Sequence, residues 1–452
     1  MNETFLWCAR ALLPTGWGSD VRLTLADGRI AAVAQGVPAQ AGDHRAGVAL
    51  PGLPNLHSHA FQRAMAGLTE VRGPADDSFW TWRELMYRFV DRLDPEAVEA
   101  VAALAFAEML ETGFTRVGEF HYLHHAPDGT PYGDPGEMAC RIAAAAAETG
   151  IGLTLLPVFY AHGGLGGLPP QPGQRRFVTD LDAYLRLLEA SRAAVSGLPD
   201  AVLGAAPHSL RAVTESELAA VTGFTSGPIH IHIAEQTREV EDCVAWSGAR
   251  PVGWLLDRLP VDARWCLVHA THMTSAECHR LALSGAVAGL CPITEANLGD
   301  GLFPAAEYLE AGGAFGVGSD SNVRIDAAEE LRLLEYGQRL HRRARNVLAP
   351  APGASTGGAL YRGALGGGAQ ALGTSTSLAV GASADILVLE SDRQTRPGEA
   401  DDALLDSFVF AQGAKALKEV WRAGVRVVEN GRHRHRDRIV ARYRAALDRL
   451  TA

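Results

Sequence analysis

The order of elements predicts an α/β fold: a (β/α)8 TIM barrel with a small composite β-sandwich domain built from both chain ends. Three observations predict it. Between about residues 48 and 320, eight short apolar, β-rich runs alternate with longer helical patterns. Both ends of the chain alternate apolar and polar residues around turn signals, Asp27-Gly28 in front and Asn430-Gly431 behind. Ionisable residues recur at the tips of the central runs, where a barrel of this kind carries its chemistry. The expected division is 1–47 with 376–452 for the sandwich and 48–375 for the barrel.

In chain order, VRLTLADGRIAAVAQG reads as a hairpin of the first sheet. Barrel strands are expected at 48–55, 114–120, 151–158, 201–206, 228–234, 264–269, 286–291 and 314–318. Helices are expected between them, at 95–112, 137–149, 179–196, 214–222, 237–247, 273–283 and 302–311. A Gly/Ala-rich stretch, GASTGGALYRGALGGGAQALG, reads as flexible loop and helix packing, and no GxxxxGK[ST] phosphate loop is present. LAVGASADILVLE and EVWRAGVRVVENGR return to short strands that complete the first sheet.

Composition narrows the function classes. At 452 residues, 47% hydrophobic and 21% charged, the chain has the balance of a soluble globular protein. No apolar run approaches the roughly 20 residues of a membrane span, and no signal-peptide pattern opens the chain. A net charge of −11 with dispersed basic residues argues against nucleic acid as partner. Six scattered cysteines without a CxxC pair fit reduced thiols in a cytoplasm. The only lysines are Lys415 and Lys418.

The strand tips carry the chemistry. Side chains two apart on a strand share a face, so His57 and His59 reach one point. The second strand ends near Glu119, His121 and Tyr122; the fourth in His208 with Arg211 beyond; the fifth in His230, His232 and Glu235; the sixth in His269; the eighth in Asp320. In a barrel these converge, and His57, His59, His232 and Asp320 make three nitrogens and one oxygen with room for water, as a catalytic metal requires. Several tip residues have plainer roles open to them. His230 is a packing or supporting residue, His121, His124 and His125 are loop-surface residues, and His272 starts a helix. Asp320 is weighed as a ligand against a helix cap.

PNLHSHA, HIAEQ, LVHATH and GVGSDSN resemble the amidohydrolase superfamily, over nearly the whole chain, and GASADILVLE resembles its flanking sheet. LHSHAFQRAMAGL, FWTWRELMYRF, EFHYLHH, PHSLRAV and CPITEANLGDG are similar to its formimidoylglutamate deiminases, which act in histidine degradation. The resemblance implies one zinc ion on His57, His59, His232 and Asp320, though such a site also takes iron, nickel or manganese. It implies that Glu235 shuttles protons and that His269 hydrogen-bonds the attacking water or the oxyanion. Gln62, Arg83, Tyr122, His208 and Arg211 match the substrate-holding residues, and a homodimer is implied.

The absence of lysine from the barrel excludes a carboxylated-lysine bridge between two metals, which favours one ion. The implied reaction is attack of water on the formimidoyl carbon of N-formimino-L-glutamate, giving N-formyl-L-glutamate and ammonia. That substrate is a small dicarboxylate, and guanidinium forks at Arg83 and Arg211 suit carboxylates. Trp80 and Trp82 are expected to pack the loop that carries Arg83. The alternative enzyme is another mononuclear deaminase, acting on a nucleobase or adenosyl compound. A non-catalytic scaffold on the same fold is disfavoured by the complete ligand set.

Overall fold

A computed structural model describes residues 3–72, 77–390 and 402–451; part of the expected 376–452 segment, residues 391–401, lies outside them. The barrel strands are β1 (Leu53–Ser58), β2 (Phe114–His121), β3 (Gly152–Phe159), β4 (Val202–Leu203, continued at Ala206–Pro207), β5 (Ile229–Ile233), β6 (Trp265–His269), β7 (Val287–Leu290) and β8 (Ala314–Val317). β1 to β4 pair in parallel, as do β5 to β8. Parallel bridges Ser58–Asp320, Ala205–Ile229 and Ser209–His232 join the two halves into a closed ring. These strands are apolar on both faces because helices cover the outside and side chains fill the inside.

The run 48–55 is not one strand. His44–Pro51 belongs to the terminal sheet, and β1 begins at Leu53. Gly52 separates them; a Cβ there would lie 2.3 Å from Thr115 Oγ1, so only glycine lets the chain pass this close.

The two chain ends form one continuous sheet of eight strands. At its centre, Ile386–Leu389 runs antiparallel to His44–Pro51, which runs parallel to Thr4–Leu13. Leu6, Cys8, Val21, Leu23, Ile30, Ile386 and Trp421 form its own core. Asp27 and Gly28, like Asn430 and Gly431, take the positive φ angles of tight hairpin turns. The sheet meets the barrel where the buried Arg422 reaches Asp200 at 2.6 Å; Arg422 also pairs with Asp385 of the sheet segment at 3.2 Å, and the buried Arg116 of β2 pairs with Asp200 at 2.8 Å.

The Gly/Ala-rich stretch is a full helix, Thr356–Ala371, rather than a loop. Its glycines serve close approach: a Cβ on Gly367 would stand 1.9 Å from the Phe315 carbonyl oxygen of β8. The end of this helix closes the barrel from below, where the Ala371 carbonyl accepts a 2.7 Å bond from His230 Nε2–H. Thr154 Oγ1 donates to the Leu372 carbonyl at 3.0 Å beside it.

Candidate active site

The cluster at the top of the barrel follows from where each strand stops. His57 is the penultimate residue of β1 and His59 lies just past it; His232 is on β5 and Asp320 follows β8. The chain turns sharply at these tips: Ala234, His269, Asp320 and Asn322 all take positive φ, between 45° and 68°. Such backbone persists only where surroundings over-determine it. Asn322 does so here, its Nδ2 donating to Ser58 Oγ, the His59 carbonyl and the Asp320 carbonyl at 3.1, 3.1 and 3.0 Å.

The four side chains converge. His57 Nε2 stands 3.2 Å from His59 Nε2 and 3.0 Å from His232 Nε2. Asp320 Oδ1 is 3.2 Å from His59 Nε2 and 3.5 Å from His57 Nε2. His59 Nδ1–H donates to the Phe120 carbonyl at 3.0 Å, and His232 Nδ1–H to the His208 carbonyl at 3.2 Å. A carbonyl only accepts, so these bonds fix the tautomers and leave bare Nε2 lone pairs facing inward. The imidazoles are also held neutral: burial pushes His57 down to about 3, and burial with neighbouring imidazoles pushes His232 well below its ordinary range. Burial alone would raise Asp320, but the His57 hydrogen bond and the surrounding imidazoles hold it below the usual carboxylate range. Converging lone pairs and a carboxylate are the donor set for a divalent cation. At metal–nitrogen bonds of about 2.0–2.1 Å, a tetrahedron has edges of about 3.3 Å, close to the spacing seen.

Two further groups flank the cluster. His269 Nε2 faces Glu235 Oε1 at 3.7 Å and Asp320 Oδ2 at 3.8 Å. Burial works to lower its pKa, but the charges of Glu235, Glu295 and Asp320 outweigh burial and raise it to about 10. Burial raises Glu235 to about 7, against the pull of His269 and Arg211. A carboxyl that titrates near neutrality can both give and take a proton.

The cavity over these groups encloses about 580 Å³ of space open to solvent. His59, His232, Glu235, His269 and Asp320 line its floor, and Gln62, Arg83, Tyr122, His208 and Arg211 line its walls. Gln62 Nε2 donates to the Tyr122 hydroxyl at 2.8 Å, leaving Gln62 Oε1 without a partner. Arg83 sits on a helix, Phe79–Val90, rather than in a loop. Arg83 and Arg211 stack around Trp80, at 4.6 and 5.9 Å from its ring. Among the described residues neither guanidinium has a carboxylate within ion-pair distance, and the Nε of each is buried without a partner.

His121 and His124 are buried rather than at a loop surface. His121 ends β2 and His124 lies just past it, where the backbone N–H of His124 bonds the Arg176 carbonyl, and His124 Nε2–H donates to the Val158 carbonyl at 2.9 Å. His272 Nε2–H bonds the Asp300 carbonyl at 2.9 Å, outside the cavity lining. Sequence reasoning passed over Phe79, Tyr87, Tyr160 and Phe177, which line the cavity, and Glu295 and Asp300, which stand behind His269 and Glu235. The aromatics lie in helices and loops whose periodicity says nothing of the mouth. Glu295 and Asp300 carried a signal only as ionisable residues just past an apolar strand.

A closed barrel of parallel strands whose C-terminal tips gather imidazoles and carboxylates defines a hydrolytic barrel of the metal-assisted kind. The chain belongs to the amidohydrolase family, whose profile matches residues 48–427. Residues 3–47 match the formimidoylglutamate deiminase HutF N-terminal domain. A formimidoylglutamate deiminase of Pseudomonas aeruginosa is 53% identical over 96% of both chains. An 8-oxoguanine deaminase of the same organism is 29% identical over 90% of this chain and 88% of its own. The crystal structure of an amidohydrolase from Brucella melitensis superimposes with a TM-score of 0.96, at 55% identity, covering 99% of this chain and 100% of that one.

Proposed function

We propose that the protein hydrolyses N-formimino-L-glutamate to N-formyl-L-glutamate and ammonia, at a single divalent ion, zinc by preference, as a cytoplasmic homodimer serving histidine degradation. The observation that carries this reading is the pair of guanidiniums, Arg83 and Arg211, that face the catalytic cavity with no carboxylate among the described residues within ion-pair distance. A substrate bearing two carboxylates supplies what they lack, and each fork accepts one bidentately. The relative at 53% identity, by its name, acts on such a substrate.

In this reading His57, His59, His232 and Asp320 hold the ion, which supplies Lewis acidity and lowers the pKa of water. Arg83 and Arg211 grip the glutamate carboxylates, with Gln62, Tyr122 and His208 completing the wall. Their grip sets the formimidoyl carbon over the cavity floor. Asp320 takes a proton from the attacking water. Glu235, protonated at the start, protonates the imine nitrogen. As the C–N bond breaks, the proton held by Asp320 passes to the departing amine and Glu235 recovers its proton from the tetrahedral hydroxyl, so that C=N becomes C=O, ammonia leaves and both carboxyls return to their starting states. His269, with Nε2 turned to the floor, donates to the developing oxyanion.

The test is ammonia release from N-formimino-L-glutamate by purified protein, before and after chelation and zinc restoration, with bound metal counted. Zinc-dependent release is expected. No release by fully metallated protein overturns the substrate, and activity on guanine, 8-oxoguanine or S-adenosylhomocysteine then identifies the nucleobase-type alternative.

A further inference from the structure

His269 faces the cavity through Nε2; its other nitrogen faces Glu295. Glu295 is the fourth residue of a short helix, Pro292–Leu298, that leaves the tip of β7. Its Oε1 accepts from His269 Nδ1–H at 3.2 Å and from the Cys291 backbone N–H at 2.9 Å. Glu295 N–H in turn donates to the Cys291 carbonyl at 2.8 Å. The carboxylate is thus fastened to the start of its own helix, and the same oxygen reaches the imidazole. A glutamate that only capped the helix would spend its carboxylate on the backbone N–H alone, whereas here the same oxygen also takes the imidazole N–H. This one is 5% exposed and lies against a residue that is 1% exposed.

The geometry points to Glu295 as a positioning residue for the reaction: it receives Nδ1–H of His269 and so fixes the ring with Nε2 aimed between Glu235 and Asp320. Without that acceptor the ring can rotate about its χ angles, and Nδ1–H has no carboxylate to hold it. Where a carboxylate holds the N–H of a metal-bound imidazole, its loss costs about 10–100-fold, and the same order is expected for a ring that must point its other nitrogen at the reaction. Glu295 lies outside the cavity lining and touches no substrate. Its action runs through His269 alone, which rests on the activity proposed above.

The experiment compares zinc-loaded wild type, Glu295→Ala and Glu295→Gln by kcat, KM, bound metal and Tm. Glutamine keeps both the helix cap and an oxygen for Nδ1–H. Glu295→Ala is expected to lower kcat about 10–100-fold with KM and metal content unchanged, and Glu295→Gln to recover most of the loss. Unchanged kcat with a lowered Tm makes Glu295 a helix cap only and overturns the proposal. So does a kcat loss that Glu295→Gln does not relieve, or one matched by loss of metal. If Glu295→Ala does not fold, Glu295→Asp, which withdraws the oxygen by one methylene, must show the same kcat loss. The proton–nitrogen NMR signal of His269 Nδ1–H reads the contact without substrate. It is expected to be protected from exchange in wild type and lost in Glu295→Ala. If wild type fails on N-formimino-L-glutamate, the proposed activity falls, while an unchanged NMR signal in Glu295→Ala removes the role of Glu295.

Discussion

Two arginine pairs, a half-buried one at the barrel mouth and a buried one where the terminal sheet meets the barrel, are made of the same groups and differ in their partners. At the joint, Arg116 and Arg422 are spent on Asp200 and Asp385 of the same chain. At the mouth, Arg83 and Arg211 stack on Trp80, with no carboxylate among the described residues within ion-pair distance of their forks. Burial of a guanidinium therefore says little by itself. A paired one holds the fold together, and one that stacks on an aromatic ring without a carboxylate partner is, in the proposed reading, the one left for a ligand.

The sharpest way to break this contrast is at the cluster itself. His232→Ala is expected to lose the bound ion and with it ammonia release to background, while the circular-dichroism spectrum is kept; retained metal in that variant would remove His232 from the ligand set. Next in size, Glu235→Gln keeps the shape and removes the titrating proton, so kcat should fall about 10²–10⁴-fold at unchanged metal content. The two arginine clusters then separate. Arg422→Met leaves the buried Asp385 without its guanidinium, while Asp200 stays open to solvent, and should cost about 1–3 kcal/mol of stability in a denaturant titration, with KM untouched. Arg211→Met removes a ligand grip of about 1.5–3 kcal/mol and should raise KM about 10–100-fold without lowering stability. A destabilised Arg211→Met with normal KM would reverse the assignment.

The smallest effect is pH-dependent and belongs to the joint. His433 Nε2–H donates to the Thr149 carbonyl at 2.9 Å, and burial lowers its pKa from 6.5 to about 4. Between those values the unfolded chain binds a proton that the folded chain refuses, so stability falls as pH falls from 6.5 to about 4. His433→Gln should flatten that part of the stability profile and leave kcat at pH 7 as it was.

The barrel was legible because each strand is an apolar run ended by punctuation, and because chemistry gathers at the ends. His230 and His232 show where legibility stops. They are two residues apart on β5, share a face, and are both buried. Spacing could not tell that His232 stands at the cavity floor among imidazoles while His230 lies deeper in the barrel against Ala371; depth in a barrel is a three-dimensional quantity. The start of β1 was misplaced because Val48–Pro51 and Leu53–Ser58 are apolar for two different neighbours, the sheet and the barrel. The helix Thr356–Ala371 was read partly as loop because glycine lowers helix propensity, while its real use is contact with β8. Glu295 stayed hidden because its partner, His269, is 26 residues away.

The distribution of lysine has a practical side. Besides the chain's own α-amine, the only amines are Lys415 and Lys418, both exposed, just before and within the strand Leu417–Arg422 of the terminal sheet. Lysine-directed dyes or cross-linkers will therefore attach at that sheet and at no side chain of the barrel.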